Sequence, residues 1–183
     1  MKTIVYSPGE PSGIGVDLII QLCSSAFWKE AGIPIICLAD PRLIEDRARL
    51  MNKKIRIDLL KEIDDCKKNI FGVLQVINIS KCSITKPGKL YKSNASYVLE
   101  NLKYGIEQSL SRKKTALVTG PISKENVISI NKKFSGHTEY IQELTKSDDV
   151  LMLLGSDKLR VAIATTHIPL KKVSKAITKN LIL

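Results

Sequence analysis

The chain has two histidines, and each stands among small and hydroxyl-bearing residues: Ser135-Gly136-His137-Thr138-Glu139 and Thr165-Thr166-His167-Ile168-Pro169. A neutral imidazole can ligate a metal or move a proton near neutral pH. His167 follows the apolar run Val161-Ala162-Ile163-Ala164, which reads as a buried strand. That places His167 at a strand's C-terminal tip, where open α/β sheets bind ligands. His137 and Thr138 lie in a glycine-containing loop entering a helix, so imidazole, hydroxyl and free amides could converge on one oxyanion. The same residues would also serve as a plain capping turn, with Thr138 satisfying the helix start. A single imidazole does not make a metal site.

Two further segments join a strand to a helix. Ser7-Pro8-Gly9-Glu10-Pro11-Ser12-Gly13-Ile14-Gly15 could let backbone amides approach an anion at the helix N-terminus, or could be a tight turn that needs glycine for positive φ. It is neither a GxGxxG dinucleotide fingerprint nor a P-loop. Gly120-Pro121-Ile122-Ser123-Lys124 ends another strand, with Ser123 as a candidate N-cap. Lys124 could meet a phosphate or be an ordinary exposed lysine. Glu10 is the only acid of the first turn, Asp148-Asp149 reads as a solvated turn, and no nucleophile elbow is present.

The elements that must position these residues alternate between strand and helix, the pattern of an α/β fold. Strands are expected at 3–7, 33–39, 55–60, 73–79, 115–120, 150–154 and 160–165, with the 115–120 strand buried. Helices are expected from Ile14 to Ser25, after Asp40-Pro41 (Asp as N-cap, Pro at N1), over Ser96–Ser111, over Glu139–Leu144 and after Pro169. The 96–111 helix carries Val98, Leu99, Leu102, Ile106 and Leu110 along one stripe. A hinge is expected in the polar stretch 120–134, dividing a first domain, 1–127, from a second, 128–183. The closing pattern 171–183 ends on Leu181-Ile182-Leu183 without a capping residue, as a helix cut mid-course would.

Bulk properties narrow the function classes. The 183 residues are 44% hydrophobic and 26% charged, as expected of a globular chain of one domain or slightly more. No apolar run reaches membrane-spanning length, and the N-terminus lacks a signal-peptide pattern. A cytoplasmic location is expected. The net charge of +11 comes from 29 basic residues, of which only six are arginine (42, 47, 49, 56, 112 and 160). The lysines are scattered and lack interleaved aromatics, so a solvated surface is a better reading than a nucleic-acid interface. A positive field still favours anionic substrates. Cys23, Cys37, Cys66 and Cys82 form no CxxC pair, and Cys23 and Cys37 read as reduced core residues.

Taken together, SPGEPSGIGVDL (7–18), TGPISK (119–124), FSGHTEY (134–140) and VAIATTHIPL (161–170) resemble the 4-hydroxythreonine-4-phosphate dehydrogenases of pyridoxal phosphate biosynthesis. The four segments keep the order and similar spacings of that family across the whole chain. The resemblance implies a two-domain α/β fold like that of isocitrate and isopropylmalate dehydrogenases. It implies oxidation of 4-(phosphooxy)-L-threonine by NAD, or NADP, to 2-amino-3-oxo-4-(phosphooxy)butanoate, which decarboxylates to 3-amino-2-oxopropyl phosphate. By the same resemblance His137 and Thr138 contact substrate, and His167 ligates a divalent metal, zinc before magnesium or cobalt. The family is homodimeric, with no nucleic-acid or membrane partner.

The resemblance also implies chains nearly twice this length and a metal held by three imidazoles, whereas this sequence has two histidines. The chain is therefore expected to be the N-terminal portion of such an enzyme, with an incomplete second domain and little activity alone. Two alternatives stay open. One is a degenerate or split-enzyme binding subunit; the other is a related dehydrogenase acting on a different phosphorylated hydroxy acid.

Overall fold

The computed structural model describes residues 2–166 and 168–182. Its chain contacts define two compact units, 1–145 and 146–183. The division falls later than the expected 127/128 boundary because the intervening residues join the first core. Val127 and Phe134 are buried there, and Tyr140, Ile141 and Leu144 pack against it. The polar stretch 120–134 is thus anchored rather than a hinge within the unit.

The first unit is built on β1 (Thr3–Ser7), β2 (Ile35–Leu38), β3 (Arg56–Leu59), β4 (Val73–Ile77) and β5 (Thr115–Thr119). All four pairings are parallel, in the order β3-β4-β2-β1-β5. β1 and β2 are nearly continuous apolar runs, as strands covered on both faces require. Tyr6, Ile35, Cys37, Leu74 and Val76 share a cluster with α1 (Gly15–Cys23) and α3 (Pro41–Leu50). Val5, Ile36, Leu38 and Ile77 lie on the opposite face with Leu60 and Ile63. The short helix α2 (Ala26–Glu30) sinks Trp28 completely, its indole N–H donating to the Val73 carbonyl at 3.2 Å.

α4 (Ala95–Ser111) lies against β1 and β5. Gly105 makes this close approach possible: a methyl there would stand 2.7 Å from Leu117 Cδ1 and 3.4 Å from Leu38 Cδ1. Val98, Leu102 and Ile106 of the expected stripe are buried, but Leu110 is exposed and lines an open groove with Leu117 and Ile141. β5 also departs from expectation. It is an edge strand, with Ala116, Val118 and Thr119 exposed, so its apolar sequence is not matched by burial within these residues. Two short helices follow it, α5 (Lys124–Ile128) and α6 (His137–Thr145), and α6 packs on α4.

The second unit contains β6 (Met152–Gly155), β7 (Arg160–Ile163), α7 (Leu170–Ala176) and α8 (Lys179–Ile182). β6 and β7 form an antiparallel hairpin. The Val161–Ala164 run is therefore a strand but not a buried one: Val161 is exposed and Ile163 only partly covered. The expected single C-terminal helix is broken, Ile177 taking an extended conformation between α7 and α8. No described helix is long and apolar enough to cross a membrane.

Candidate functional site

The sheet reverses its winding between β1 and β5: the chain steps from β1 to β2 on one side and later adds β5 on the other. Open parallel sheets bind ligands at such a switch point, beyond the carboxyl ends of the strands. Ser7 and Thr119 are register partners at those ends, so the 8–15 and 120–124 segments leave the sheet side by side.

Their backbones are in intimate contact. Gly120 N donates to the Ser7 carbonyl at 2.7 Å, and Glu10 N to the Pro121 carbonyl at 2.9 Å. A Cβ on Gly9 would collide with the Pro121 carbonyl, and one on Gly15 or Gly120 with that of Pro8. Only Gly9 of the first loop has positive φ, at 78°. Gly15 is thus explained by close packing rather than by a left-handed turn. Tyr6 lies beneath, its hydroxyl donating to the Gly15 carbonyl at 2.9 Å. Burial, then the nearby Cys37, push that phenol up to about 12.

The first loop is a buried strut and not an open cradle. Residues 8–12 are all buried. Arg47 reaches it from α3, donating to the carbonyls of Gly13 at 3.1 Å and Pro11 at 2.9 Å, and pairing with Asp17 at 2.7 Å. The Glu10 carboxylate accepts from Ser12 N at 3.2 Å and from Asn126 Nδ2 at 3.3 Å. Glu10 and Asn126, 116 residues apart, thus fix α5 to the first loop. Neither Arg47 nor Asn126 carried a sequence signal; Glu10 stood in a motif, but its role needed a partner far along the chain.

What faces outward is the second loop and the start of α6. Ser123 does cap α5, its Oγ accepting from Asn126 N at 3.3 Å. Lys124 then begins the helix with its side chain exposed. Gly136 is buried and His137 and Thr138 are partly buried in the first turn of α6. The 134–140 segment is closed by the Phe134 and Tyr140 rings, 5.5 Å apart at 56°. A methyl on Gly136 would stand 2.9 Å from Glu139 Oε2 and 3.5 Å from Lys124 Nζ. Burial first, and the Lys124 charge second, lower the His137 imidazole below its usual 6.5. The ring is therefore neutral at physiological pH, able to accept one hydrogen bond and donate another.

The structure thus assembles three of the four sequence segments: 7–18 as support, with 119–124 and 134–140 as the accessible surface. Lys124 lies close to Gly136 and is felt by His137, with Thr138 next in the chain. His167 lies outside the described residues. Among those described, no three of His, Cys, Asp and Glu are grouped to hold a metal ion, so no step can be built through one here.

Comparison with known proteins agrees with this architecture. The family model "Pyridoxal phosphate biosynthetic protein PdxA" matches residues 30–183. A protein named 4-hydroxythreonine-4-phosphate dehydrogenase from Enterobacter sp. (strain 638) is 35% identical over 99% of this chain and 54% of its own length. Its namesake from Saccharophagus degradans is 38% identical over 96% of this chain and 51% of its own. In fold, the crystal structure of a 4-hydroxythreonine-4-phosphate dehydrogenase from Burkholderia phymatum superposes with a TM-score of 0.88 at 23% identity, covering all of this chain and 55% of that one. A terephthalate 1,2-cis-dihydrodiol dehydrogenase from Burkholderia xenovorans LB400 shares the fold more distantly, at TM-score 0.68 and 17% identity over 99% of this chain and 53% of that one. The chain spans about half the length of these relatives. With its family model matched over 154 of its residues, from 30 to 183, the chain belongs to the PdxA family of pyridoxal phosphate biosynthetic proteins.

Proposed function

We propose that this chain carries the substrate-recognition part of a 4-hydroxythreonine-4-phosphate dehydrogenase. The reaction is the NAD-dependent oxidation of 4-(phosphooxy)-L-threonine to 2-amino-3-oxo-4-(phosphooxy)butanoate, followed by loss of CO2 to give 3-amino-2-oxopropyl phosphate. The observation that carries this reading is the meeting of the 119–124 and 134–140 segments at the β1/β5 switch point, in a chain whose relatives bear that enzyme's name.

His137 and Thr138 are the substrate-contacting residues in this reading. A neutral imidazole beside a hydroxyl can accept from a substrate hydroxyl or ammonium and donate to an anionic oxygen. Phe134 and Tyr140 hold that turn in place, and the buried Glu10–Asn126 and Arg47 contacts hold what lies beneath it. The nicotinamide cofactor, when bound, accepts the hydride; the chain has no Rossmann fingerprint to assign its seat. His167 is proposed as one ligand of a divalent metal, zinc first, in a site that needs imidazoles beyond the two of this sequence. The 183-residue chain alone is therefore expected to bind substrate but not to reduce NAD. Homodimeric assembly and a cytoplasmic location belong to the same proposal.

Calorimetric titration with 4-(phosphooxy)-L-threonine tests this directly. Saturable binding, weakened about tenfold by His137→Asn and by Thr138→Ala, is expected for the loss of one hydrogen bond to a charged ligand. Binding that neither substitution changes would overturn the assignment. NADH formation by the pure chain with zinc would overturn the claim that its site is incomplete.

A further inference from the structure

We infer that Lys124 is a substrate-contacting residue of this site, its ammonium placed beside His137 to meet the phosphate of a small phosphorylated ligand. The inference rests on the function proposed above and adds a residue to it. Three observations carry it.

The first is position. Lys124 opens α5 directly after the 120–123 turn, and that turn is locked to the first loop through Pro121 and Asn126. The lysine's backbone is thus held between two residues tied to the first loop. The second is convergence. A methyl on Gly136 would lie 3.5 Å from Lys124 Nζ and 3.6 Å from Lys124 Cε. Gly136 is the residue before His137, so the ammonium and the imidazole come from separate helices to one place. A larger residue at 136 would crowd the lysine.

The third is that the ammonium has no fixed partner. Among the described residues Lys124 forms no ion pair and no hydrogen bond. Glu139, whose Oε2 also borders Gly136, does not come within ion-pair distance of it. A lysine whose stem is packed over a glycine while its three N–H donors stay free is equipped to bind an anion. The phosphate is a better fit than a carboxylate because it brings nearly two negative charges and three terminal oxygens to share between the ammonium and the imidazole N–H. Beside an ammonium the imidazole also stays neutral, so it keeps both its donor and its acceptor for the ligand.

The test uses the whole chain, with histidine-selective NMR following the His137 ring during titration with inorganic phosphate and with 4-(phosphooxy)-L-threonine. The variants are Lys124→Gln, Lys124→Arg and, as a control for net charge, Lys133→Gln, which removes the same charge from an exposed loop position. Lys124→Gln should weaken both ligands about tenfold, the usual effect of one charge-assisted contact. Lys124→Arg should restore most of that loss, and Lys133→Gln should leave binding within about twofold of wild type. If Lys124→Gln binds as wild type while His137→Asn loses binding, the site stands and Lys124 is not part of it. Equal weakening by Lys133→Gln would reduce the effect to the chain's overall charge and overturn the inference. Absence of any binding by the wild-type chain would overturn both the inference and the function on which it rests.

Discussion

Replacing Arg47 by methionine tests whether the loop beneath the site is held from below. The Arg47 side chain is 4% exposed, and its guanidinium satisfies two loop carbonyls and the Asp17 carboxylate. Methionine keeps the volume of the stem but none of the donors. The buried Pro11 carbonyl and the partly buried Gly13 carbonyl then lose their partners, at about 1–3 kcal/mol each where water cannot replace them. Asp17 keeps access to water, its side chain being 29% exposed, so its share is smaller. The expected loss is about 3–4 kcal/mol, within the 3–5 kcal/mol typical of removing one partner from a buried ion pair. That is a large part of the stability of an ordinary domain and corresponds to a melting temperature about 10 °C lower. Urea unfolding followed by tryptophan fluorescence measures it, since the single tryptophan, Trp28, is fully buried in the same core. Asp17→Asn serves as the internal comparison and should cost about 1 kcal/mol. The reasoning fails if Arg47→Met costs less than 1 kcal/mol, or if Asp17→Asn costs as much as Arg47→Met.

Two further outcomes follow from the same geometry. Gly120→Ala should destabilise the chain by about 2–3 kcal/mol, the range for forcing atoms into a packed interior, because its Cβ would meet the Pro8 carbonyl and lie 3.1 Å from Tyr6 Oη; a melting curve like that of wild type would contradict the backbone contact. His137 titrates below 6.5 in the fold because burial, and then Lys124, oppose its charging. The unfolded chain therefore binds the proton more readily, and stability should fall as pH drops from 6.5 through the folded-state value. His137→Asn should flatten that part of the stability–pH curve, and an unchanged slope would refute the burial of the ring.

The strands and helices were legible in the sequence where burial and periodicity agree. β1, β2 and β4 are apolar runs, and Asp40-Pro41 marked the start of α3, with Asp40 accepting from Arg42 N at 2.9 Å. Cys23 and Cys37 are core residues, as their apolar neighbours suggested. β5 and β7 are the instructive failures. Both have the composition of covered strands, yet β5 is a sheet edge and β7 one arm of an exposed hairpin. Hydrophobicity records that a strand suits a covered position, not which residues cover it, and here the described residues do not. The final helix misled for another reason: its spacing is helical on both sides of Ile177, but the extended backbone there breaks it.

The site was legible only in part. Its motifs stood out through glycine, histidine and hydroxyl residues, yet motif spelling did not separate the supporting segment from the accessible one. The first loop read equally as an anion cradle or as a tight turn, and it proved to be buried, with Arg47 taking two of its carbonyls and Glu10 pairing with Asn126. Those contacts join residues from distant parts of the chain, so no local pattern could display them. Lys124 read either as a phosphate contact or as an ordinary exposed lysine, and nothing in the sequence showed that α6 brings Gly136 beside it.

In the proposed function, ligands meet this chain at the C-terminal ends of β1 and β5. A polar cleft of about 340 Å3 opens at the other end of the sheet, where Thr3, Cys66, Arg112 and Lys114 gather. It offers positive charge but none of the four sequence segments. Backbone amide NMR of the labelled chain, titrated with 4-(phosphooxy)-L-threonine, separates the two. Shifts should concentrate at 120–124 and 136–139, with the Arg112–Thr115 amides unmoved. Shifts centred on the Arg112 cleft, with His137 and Lys124 silent, would contradict it.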